Sequence, residues 1–326
     1  MNRKLFWILN ILVLTLVFTG CQKEDEINEA EVLASYLEST TSPLGKDFVN
    51  TDLPTIMTAE ELNTLNVTNQ AYIIDLRSAA DFATGHIKNA HNVALADLVS
   101  HMATVNESSY TKIAIVCYTG QTAGYAASLL RLLGHSKVFS LKWGMCSWHA
   151  DFSSRWANAI SNTYATQMVT TTTEKGAKGE LPVINTGKTT GQDILEARVA
   201  TLLTEGFTPA TITAATVFGN PSNYYIVNYW PAAQYADPGH IPGAIQYTPK
   251  ETLKLAADLK TLPTDKPIVV YCYTGQTSAF VAAYLRLLGY DARSLMFGAN
   301  SMIYDVMVSK SMTVWKATEI KGYTYE

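Results

Sequence analysis

Short apolar runs alternate with longer apolar or amphipathic stretches along most of the chain. Three of the short runs are typical of buried strands: residues 71–76, 112–116 and 137–141. Thr58 with Glu61 three residues later fits a capping box that opens a helix, and residues 123–133 are apolar almost all round until Gly134. Strands that alternate with helices predict an α/β fold, in which helices cover both faces of a mainly parallel sheet.

The same order of motifs occurs twice in the chain, at a separation of about 155 residues. The six residues from Cys117 to Thr122 are identical to those from Cys272 to Thr277. Shorter matches flank them: Gly85-His86-Ile87 with Gly239-His240-Ile241, and Arg131-Leu132-Leu133-Gly134 with Arg286-Leu287-Leu288-Gly289. A period this long indicates two duplicated domains rather than a solenoid.

The second copy has a lead helix of its own over residues 193–205, where Leu195, Val199 and Leu202 fall on one helical face. Residues 170–190 are rich in Thr, Lys and Gly, which is typical of a linker. These features predict the following organisation: a signal peptide at 1–20, a tether at 21–50, a first domain at 51–157, a linker at 158–190 and a second domain at 191–320.

The N-terminal twenty residues differ from the rest of the chain. Arg3 and Lys4 precede an almost continuously apolar stretch over residues 5–19, and small residues lead up to Cys21. This pattern is typical of a secretory signal peptide, and the apolar stretch is short for a membrane-spanning helix. The sequence around Cys21 resembles the lipobox of bacterial lipoproteins, which implies lipidation of that cysteine. A plain signal peptide and a retained membrane span are the alternatives.

Lipidation of Cys21 would make the protein an exported one, anchored to a bacterial membrane on its periplasmic face or at the cell surface. Residues 22–26 are polar and acidic, which suits a solvated tether. They also resemble the acidic export signals of some surface lipoproteins, and a plain linker is an equal alternative.

Composition narrows the classes of function. Hydrophobic residues make up 48% of the 326 residues and charged residues 16%, so the chain can bury real cores. The net charge of −4 argues against nucleic acid as a partner, because no basic patch is available for phosphates. Apart from Cys21, the chain has Cys117, Cys146 and Cys272, and an odd number of cysteines does not make a disulfide framework. No Cys-x-x-Cys or His-x-x-x-His spacing occurs, and we predict neither a metal nor a cofactor.

Cys117 and Cys272 each stand where an apolar strand is expected to end and a helix to begin. Ligand sites in parallel sheets gather at the carboxyl ends of strands. Backbone N–H groups of the loop and the dipole of the helix should stabilise a thiolate there and lower its pKa. Gly120 and Gly275 permit a tight curl around the sulfur. A buried, inert cysteine is the alternative for either copy, but duplication of the whole loop favours a function.

Several motifs together resemble the rhodanese domain, and they occur in both copies. In the first copy they are Asp75-Leu76-Arg77, Asp81-Phe82, Gly85-His86-Ile87, the Cys117 loop and Trp143-Gly144-Met145 through Trp148. In the second they are Asn228-Tyr229-Trp230, Gly239-His240-Ile241-Pro242-Gly243-Ala244, the Cys272 loop and Phe297-Gly298. The resemblance implies two rhodanese-like domains, each with a mainly parallel five-stranded sheet flanked by helices.

The resemblance also implies an activity and the residues that perform it. A sulfurtransferase of this kind moves sulfane sulfur from thiosulfate or a related small donor to a thiophilic acceptor through a cysteine persulfide. The catalytic residues would be Cys117 and Cys272. The loops that hold the persulfide would be Tyr118, Thr119, Gly120, Gln121 and Thr122 in the first copy and Tyr273, Thr274, Gly275, Gln276 and Thr277 in the second.

The two copies differ in the charges expected around the cysteine. Three supporting residues of the first copy are replaced in the second: Asp75 by Asn228, Arg77 by Trp230 and Lys142 by Met296. Because an anionic donor gains from positive charge near the sulfur, the first domain is expected to be the better catalyst. Neither loop contains the Arg or Lys often seen in thiosulfate-using relatives, which leaves the identity of the donor open.

Three further residues have two interpretations each. His86 and His240 are candidates for acid–base work, and the rhodanese context favours the alternative that each fixes a turn by hydrogen bonding. Cys146 is a conceivable resolving partner for Cys117, with a packed thiol as the favoured alternative.

Two other functions compete with sulfur transfer. A phosphatase is disfavoured, because Ala123 and Ser278 stand where such a loop needs an arginine to clamp phosphate. A non-catalytic lipoprotein that binds sulfur compounds or thiols, or serves as a scaffold on a rhodanese fold, remains the alternative.

Overall fold

The structure is a computed structural model, and it describes residues 27–326. The predicted signal peptide, Cys21 and the acidic segment 22–26 lie outside the described residues. The helices are α1 (Glu29–Glu38), α2 (Phe48–Thr51), α3 (Ala59–Val67), α4 (Ala79–Ala83), α5 (Leu98–Met102), α6 (Gln121–Leu132), α7 (Met145–Trp148), α8 (Ser154–Ala157), α9 (Gly191–Glu205), α10 (Ala214–Gly219), α11 (Ala232–Ala236), α12 (Gln276–Leu287) and α13 (Tyr304–Ser309). The strands are β1 (Ile56–Met57), β2 (Ala71–Asp75), β3 (Ala90–Asn92), β4 (Lys112–Val116), β5 (Val138–Leu141), β6 (Thr211–Ile212), β7 (Tyr225–Asn228), β8 (Ile245–Gln246), β9 (Ile268–Tyr271) and β10 (Ala292–Leu295).

These strands form two five-stranded sheets, with the orders β1-β5-β4-β2-β3 and β6-β10-β9-β7-β8. Neighbouring strands are parallel throughout both sheets. The central strand is β4 in the first sheet and β9 in the second, and each runs directly into one of the cysteine loops. The predicted fold of two mainly parallel α/β domains is therefore confirmed.

Local sequence signals lie behind several of these elements. Thr58 caps α3, since its side chain accepts a hydrogen bond from the Glu61 N–H at 3.2 Å. β4 has the predicted bounds, and β2 ends at Asp75 rather than at residue 76. The helix predicted from residue 123 begins at Gln121, because the loop glycine before it takes the N-cap position.

The prediction of a simple tether is wrong for residues 27–50, the described part of the predicted 21–50 segment. They contain α1, which packs against α9 and buries four apolar side chains: Ala30, Leu33, Ala34 and Leu37. Those positions have the helical spacing i, i+3, i+4 and i+7, so an apolar stripe runs between acidic residues. Glu29 fixes the start of the helix, because its carboxylate accepts hydrogen bonds from the N–H groups of Thr186 and Gly187.

The position of α1 also extends the duplicated unit. The strand and helix β6 and α10 of the second copy correspond to β1 and α3 of the first. The predicted lead helix of the second copy, α9, lies before this pair in the chain. The counterpart of α9 in the first copy is α1. The duplicated unit therefore begins before residue 51, and the two lead helices pack on each other.

The domains pack through α6 and α12, the helices that follow the cysteine loops. Gly124 faces Phe280 so closely that a methyl group in its place would lie 3.2 Å from the ring. Ser128 donates a hydrogen bond to the Phe280 carbonyl at 3.1 Å. The predicted linker 158–190 is also packed, since Leu181 and Ile184 are buried in the same core.

The end of the chain returns to the first domain. The Tyr323 N–H donates to the Trp148 carbonyl at 3.0 Å, and His86 and Glu326 exchange two backbone hydrogen bonds of 2.7 and 3.0 Å. Residues 321–326, which lie beyond the predicted second domain, therefore pack on the first. Within residues 27–326, no helix combines the length and the apolar character needed to cross a bilayer.

Candidate functional site

Cys117 lies at the carboxyl end of the central strand β4, at the mouth of the loop that leads into α6. Its Sγ accepts hydrogen bonds from the N–H groups of Gly120 at 3.2 Å and Ala123 at 3.4 Å. Gly120 has φ +85°, in the left-handed region, and a methyl group there would lie 2.8 Å from the Gln276 side chain. The loop thus curls around the sulfur as predicted from its glycine.

The pKa of Cys117 is raised, which corrects the expectation of a lowered one. Burial is the largest cause, since the residue is only 5% exposed and a thiolate loses its hydration there. The N–H groups of Ala123, Thr119 and Gly120 lower the pKa, but by less than burial raises it. The N–H groups of the loop therefore offset part of the desolvation cost of the thiolate, and the pKa of Cys117 still lies above its ordinary value.

An open cavity of about 290 Å³ lies above Cys117. Its polar lining consists of Arg77, Ser78, Asp81, Tyr118, Thr119, Thr122 and Arg155. The remaining wall includes Met296 and Phe297, which belong to the second domain. The first cysteine site is therefore completed by residues of the other domain.

Asp75 and Arg77 form a buried, bidentate ion pair beside the cavity. Arg77 Nη2 lies 2.7 Å from Asp75 Oδ2 and also donates to the Gly85 carbonyl at 2.7 Å. Both side chains are 1% exposed. Arg77 Nη1 has no hydrogen-bond partner among the described residues, so one buried donor of a cavity-lining arginine is unused.

Arg155 is a second arginine of the cavity, and no motif in the sequence predicted its place there. It lies in α8, beyond the last rhodanese-like motif of the first copy, and no local pattern distinguishes it. Its guanidinium carbon lies 3.5 Å from the centre of the Tyr118 ring, a cation–π contact. The Tyr118 hydroxyl donates to Asp81 at 2.6 Å, and this bond is the main reason that the pKa of Asp81 is lowered.

Lys142 does not lie beside Cys117, which corrects the expected supporting cation. Its Nζ lies 3.8 Å from Glu319 of the C-terminal segment and 5.1 Å from the centre of the Trp143 ring. The side chain is drawn away from the sulfur by this acidic partner, which no local sequence signal could reveal.

The two histidines do not line the cavity at Cys117. His86 Nδ1 lies 3.0 Å from the Phe82 carbonyl, and His240 Nδ1 lies 2.9 Å from the Tyr235 carbonyl. Each ring therefore bonds to the backbone of the preceding turn. These contacts fit the turn-fixing alternative rather than acid–base work on a sulfur compound.

Cys146 is a packed thiol in this structure. It is fully buried, and its S–H donates to the Phe152 carbonyl at 3.0 Å. Burial raises its pKa to about 12. A thiol so buried and so weakly acidic is a poor nucleophile, which fits the alternative that it only fills space beside Trp143 and Trp156.

Cys272 occupies the matching position after β9, but its surroundings differ. Its Sγ accepts the Ser278 N–H at 3.3 Å, and the residue is 2% exposed. Trp230 stands at the position that corresponds to Arg77 and stacks on Tyr273 with 5.4 Å between ring centres. Asn228 donates to the Tyr271 hydroxyl at 2.7 Å instead of pairing with a cation. The second cysteine is thus buried, and an aromatic residue, Trp230, stands in the place of Arg77.

The duplicated glutamines cross between the domains rather than face the sulfur. Gln121 Oε1 accepts the Phe297 N–H at 2.8 Å, while Gln276 Nε2 donates to Ser140 Oγ at 2.9 Å and to the Leu141 carbonyl at 3.1 Å. Both glutamines are 1% exposed. Identity of the two loops therefore reflects a reciprocal domain contact as well as the cysteine itself.

We expect Gln121→Ala to lower the free energy of unfolding by about 1–3 kcal/mol, because the Phe297 N–H would lose its acceptor in a buried place. Gln121→Glu keeps an acceptor oxygen for the Phe297 N–H, so its loss should come mainly from burial of the carboxyl group. The matched variant Gln276→Glu places a carboxylate against the Leu141 carbonyl and should lose more than Gln121→Glu. Urea unfolding of the variants measures the order, and the reverse order of the two glutamate variants would contradict the crossing contacts.

Comparison with known proteins places these features in a family. The family model described as "Rhodanese-like domain" matches residues 58–151 and again residues 220–302, which together make up more than half of the chain. Each match contains one cysteine loop.

Among curated proteins, a thiosulfate sulfurtransferase of Pseudomonas aeruginosa is 24% identical over 278 residues, which cover 74% of this chain and 91% of that protein. Thiosulfate sulfurtransferase GlpE of Ectopseudomonas mendocina is 34% identical over 92 residues, which cover 27% of this chain and 80% of that protein. The first likeness spans both domains and the second spans one.

Among solved structures, SseA from Escherichia coli, described under the rhodanese fold and the mechanism of 3-mercaptopyruvate sulfotransferases, is 18% identical and covers 74% of this chain and 97% of its own. With a TM-score of 0.27, this likeness adds nothing to the family match.

Proposed function

Because the chain belongs to the rhodanese family and contains two rhodanese-like domains, we propose that it is a sulfurtransferase whose working cysteine is Cys117. The observation that supports this most is the open cavity where Cys117 lies with Arg77 and Arg155. We propose thiosulfate or a related small anion as the donor and a thiophilic compound as the acceptor. Thiosulfate is the compound that appears in the names of the curated relatives.

In the proposed reaction, the Cys117 thiolate attacks the outer sulfur of thiosulfate. The S–S bond of thiosulfate breaks, sulfite leaves with the electron pair, and Cys117 carries a persulfide. A thiophilic acceptor then attacks the outer sulfur of the persulfide, and the electron pair returns to the Cys117 thiolate. With cyanide as the acceptor, the product is thiocyanate.

The lining of the cavity suits a small anion. Arg77 and Arg155 place two guanidinium groups in the lining, and Ser78 and Thr122 belong to the same lining. Charge-assisted hydrogen bonds from guanidinium groups to oxyanions are among the stronger polar contacts in proteins. We therefore propose that the two arginines hold the sulfite portion of the donor while its outer sulfur faces Cys117.

We propose a different role for the second domain. Cys272 is buried and has Trp230 in the place of Arg77, while Met296 and Phe297 of this domain form a wall of the cavity at Cys117. The second domain then serves the first site as a wall and carries little turnover of its own. Anchoring of the protein to a membrane through a lipid on Cys21 stays a separate proposal.

A direct test is to incubate the purified chain with thiosulfate and to follow three products. We expect an added mass of one sulfur atom on a peptide that contains Cys117, release of sulfite, and thiocyanate when cyanide follows. Alkylation with iodoacetamide before the donor should abolish all three. A chain that neither gains sulfur nor releases sulfite would overturn the proposed activity, and the scaffold alternative would then stand.

The raised pKa of Cys117 determines how the rate of its alkylation should depend on pH. Only the thiolate attacks, and burial raises the pKa of this thiol, so the thiolate fraction and the rate of alkylation should keep increasing above the ordinary thiol pKa of about 8.5. Mass spectrometry of Cys117 alkylation by iodoacetamide across a pH series gives the profile, with free cysteine as the reference. If the rate reached its plateau at a lower pH than the rate for free cysteine, the pKa of Cys117 would be lowered and the prediction contradicted.

A further inference from the structure

A second cavity adjoins the cavity at Cys117. It has a volume of about 360 Å³ and lies between the segment that joins the domains, with Tyr164, and the start of α10, with Ala214 and Ala215. Met296 and Phe297 line both cavities. The two spaces are therefore neighbours with two lining residues in common.

The chemistry of the second cavity differs from that of the first. Its lining contains no charged side chain, whereas the first cavity has two arginines. Its serine and threonine hydroxyl groups already bond within the protein: Ser161 to Thr163 at 2.8 Å, Thr213 to Thr216 at 2.9 Å, and Ser301 to the Met296 and Gly298 carbonyls at 3.1 and 2.8 Å. The surface that remains for a ligand is mainly apolar, and it suits an uncharged hydrophobic group.

The walls of this second cavity are held in place by contacts across the domains. The Phe297 N–H donates to Gln121 of the first cysteine loop, and the Phe297 ring packs edge-on to Trp156 with 5.0 Å between centres. Tyr164 stacks on Phe218 at 4.0 Å. A ligand would thus enter a space whose aromatic sides are already ordered, which lowers the entropy lost on binding.

We propose that the second cavity binds the uncharged, apolar body of an organic thiol that accepts sulfur from Cys117. This inference rests on the proposed function and specifies its acceptor class. The acceptor thiolate attacks the outer sulfur of the Cys117 persulfide, the S–S bond breaks, and the electron pair returns to Cys117 Sγ. The product is the organic persulfide, and no further oxidant or reductant is needed.

The size of the two spaces supports this division of roles. The first cavity alone holds a small anion such as thiosulfate, and a compact acceptor uses it without reaching further. In this proposal an acceptor with an aromatic or alkyl body faces Cys117 with its sulfur, and its body passes Met296 and Phe297, the residues common to both linings. Contact of that body with an uncharged lining should favour it over a small polar thiol.

The test is a single-turnover discharge of persulfide from Cys117. The chain is first loaded with sulfur, and intact mass verifies the adduct. Discharge is then followed with phenylmethanethiol and with 2-mercaptoethanol, two alkyl thiols of similar acidity that differ in their bodies. We expect phenylmethanethiol to react faster, and Ala215→Phe, which fills the second cavity from an exposed position of α10, to lower that preference about tenfold.

Ala233→Phe is the matched control, because it makes the same change at an exposed alanine of α11 that lines neither cavity. Its preference should equal that of the unmodified chain. Thr163→Tyr, which approaches the cavity from the opposite wall, should repeat the loss and guards against a misfolded first variant.

The outcomes separate this inference from the function on which it rests. Loading of Cys117 with no preference for phenylmethanethiol, or a preference that both cavity-filling variants leave intact, would overturn the acceptor site alone. A chain that takes up no sulfur on Cys117 would overturn the proposed function and the acceptor site together.

Discussion

Replacement of Cys117 by alanine is expected to reduce sulfur transfer to background, a loss of more than about 10³-fold, because the attacking sulfur is removed. Cys272→Ala is the matched change and should leave the rate within about twofold of the unmodified chain. The two cysteines have the same loop sequence and the same place after a central strand. The difference in outcome would therefore arise from the surroundings, an open cavity with two arginines against a stack of aromatic rings.

The measurement is thiocyanate formation from thiosulfate and cyanide, with circular dichroism to verify that each variant is folded. Intact mass gives an independent reading, since the added sulfur should persist in Cys272→Ala and disappear in Cys117→Ala. Equal activity of the two variants would contradict the assignment of Cys117, and undiminished activity of the double variant would contradict cysteine-based transfer altogether.

Arg77→Met is expected to lower the free energy of unfolding by about 3–5 kcal/mol, because Asp75 would be left as a buried carboxylate without its cation. Asp75 accepts the Arg77 N–H and side-chain donors, and both groups are almost fully screened from water. A methionine of similar length fills the space but cannot compensate the charge. The loss should also remove the hydrogen bond that Arg77 makes to the Gly85 carbonyl.

Urea unfolding measures this effect, and the double variant Asp75→Asn with Arg77→Met is its control. The double variant removes the stranded charge and should recover part of the stability, as the second domain does without any charge at these positions, with Asn228 and Trp230. Equal losses in the single and double variants would show that the buried charge of Asp75 is not the cause.

The central strands and the helices behind the cysteine loops could be predicted because their signals are local. The apolar run 112–116 has the length of a buried strand, and the Thr58 cap acts within a single turn. α1 could have been found in the same way, from Ala30, Leu33 and Leu37, but acidic neighbours lowered its apparent hydrophobicity. Tertiary packing against α9 made it a helix of the core.

The candidate site was predictable only in part, because some of its residues come from segments far apart in the chain. Cys117, Asp75 and Arg77 lie at strand ends that parallel pairing brings to one edge of the sheet. Arg155 and Phe297 reach the same cavity from α8 and from the other domain, and no spacing along the chain encodes that distance. Lys142 was expected there by alignment of the copies, but Glu319 holds it elsewhere.

The sequence by itself determined the duplication, the parallel α/β fold and the place of both cysteines, because strand runs, caps and loop glycines act over a few residues. Only the tertiary structure decided that Cys117 lines a cavity together with Arg77 and Arg155. Burial raised the pKa of Cys117 although its loop supplies N–H donors, and Trp230 stacked on Tyr273 beside the second loop. Solvation and side-chain packing depend on segments far apart in the chain, and they turned two identical loops into two different sites.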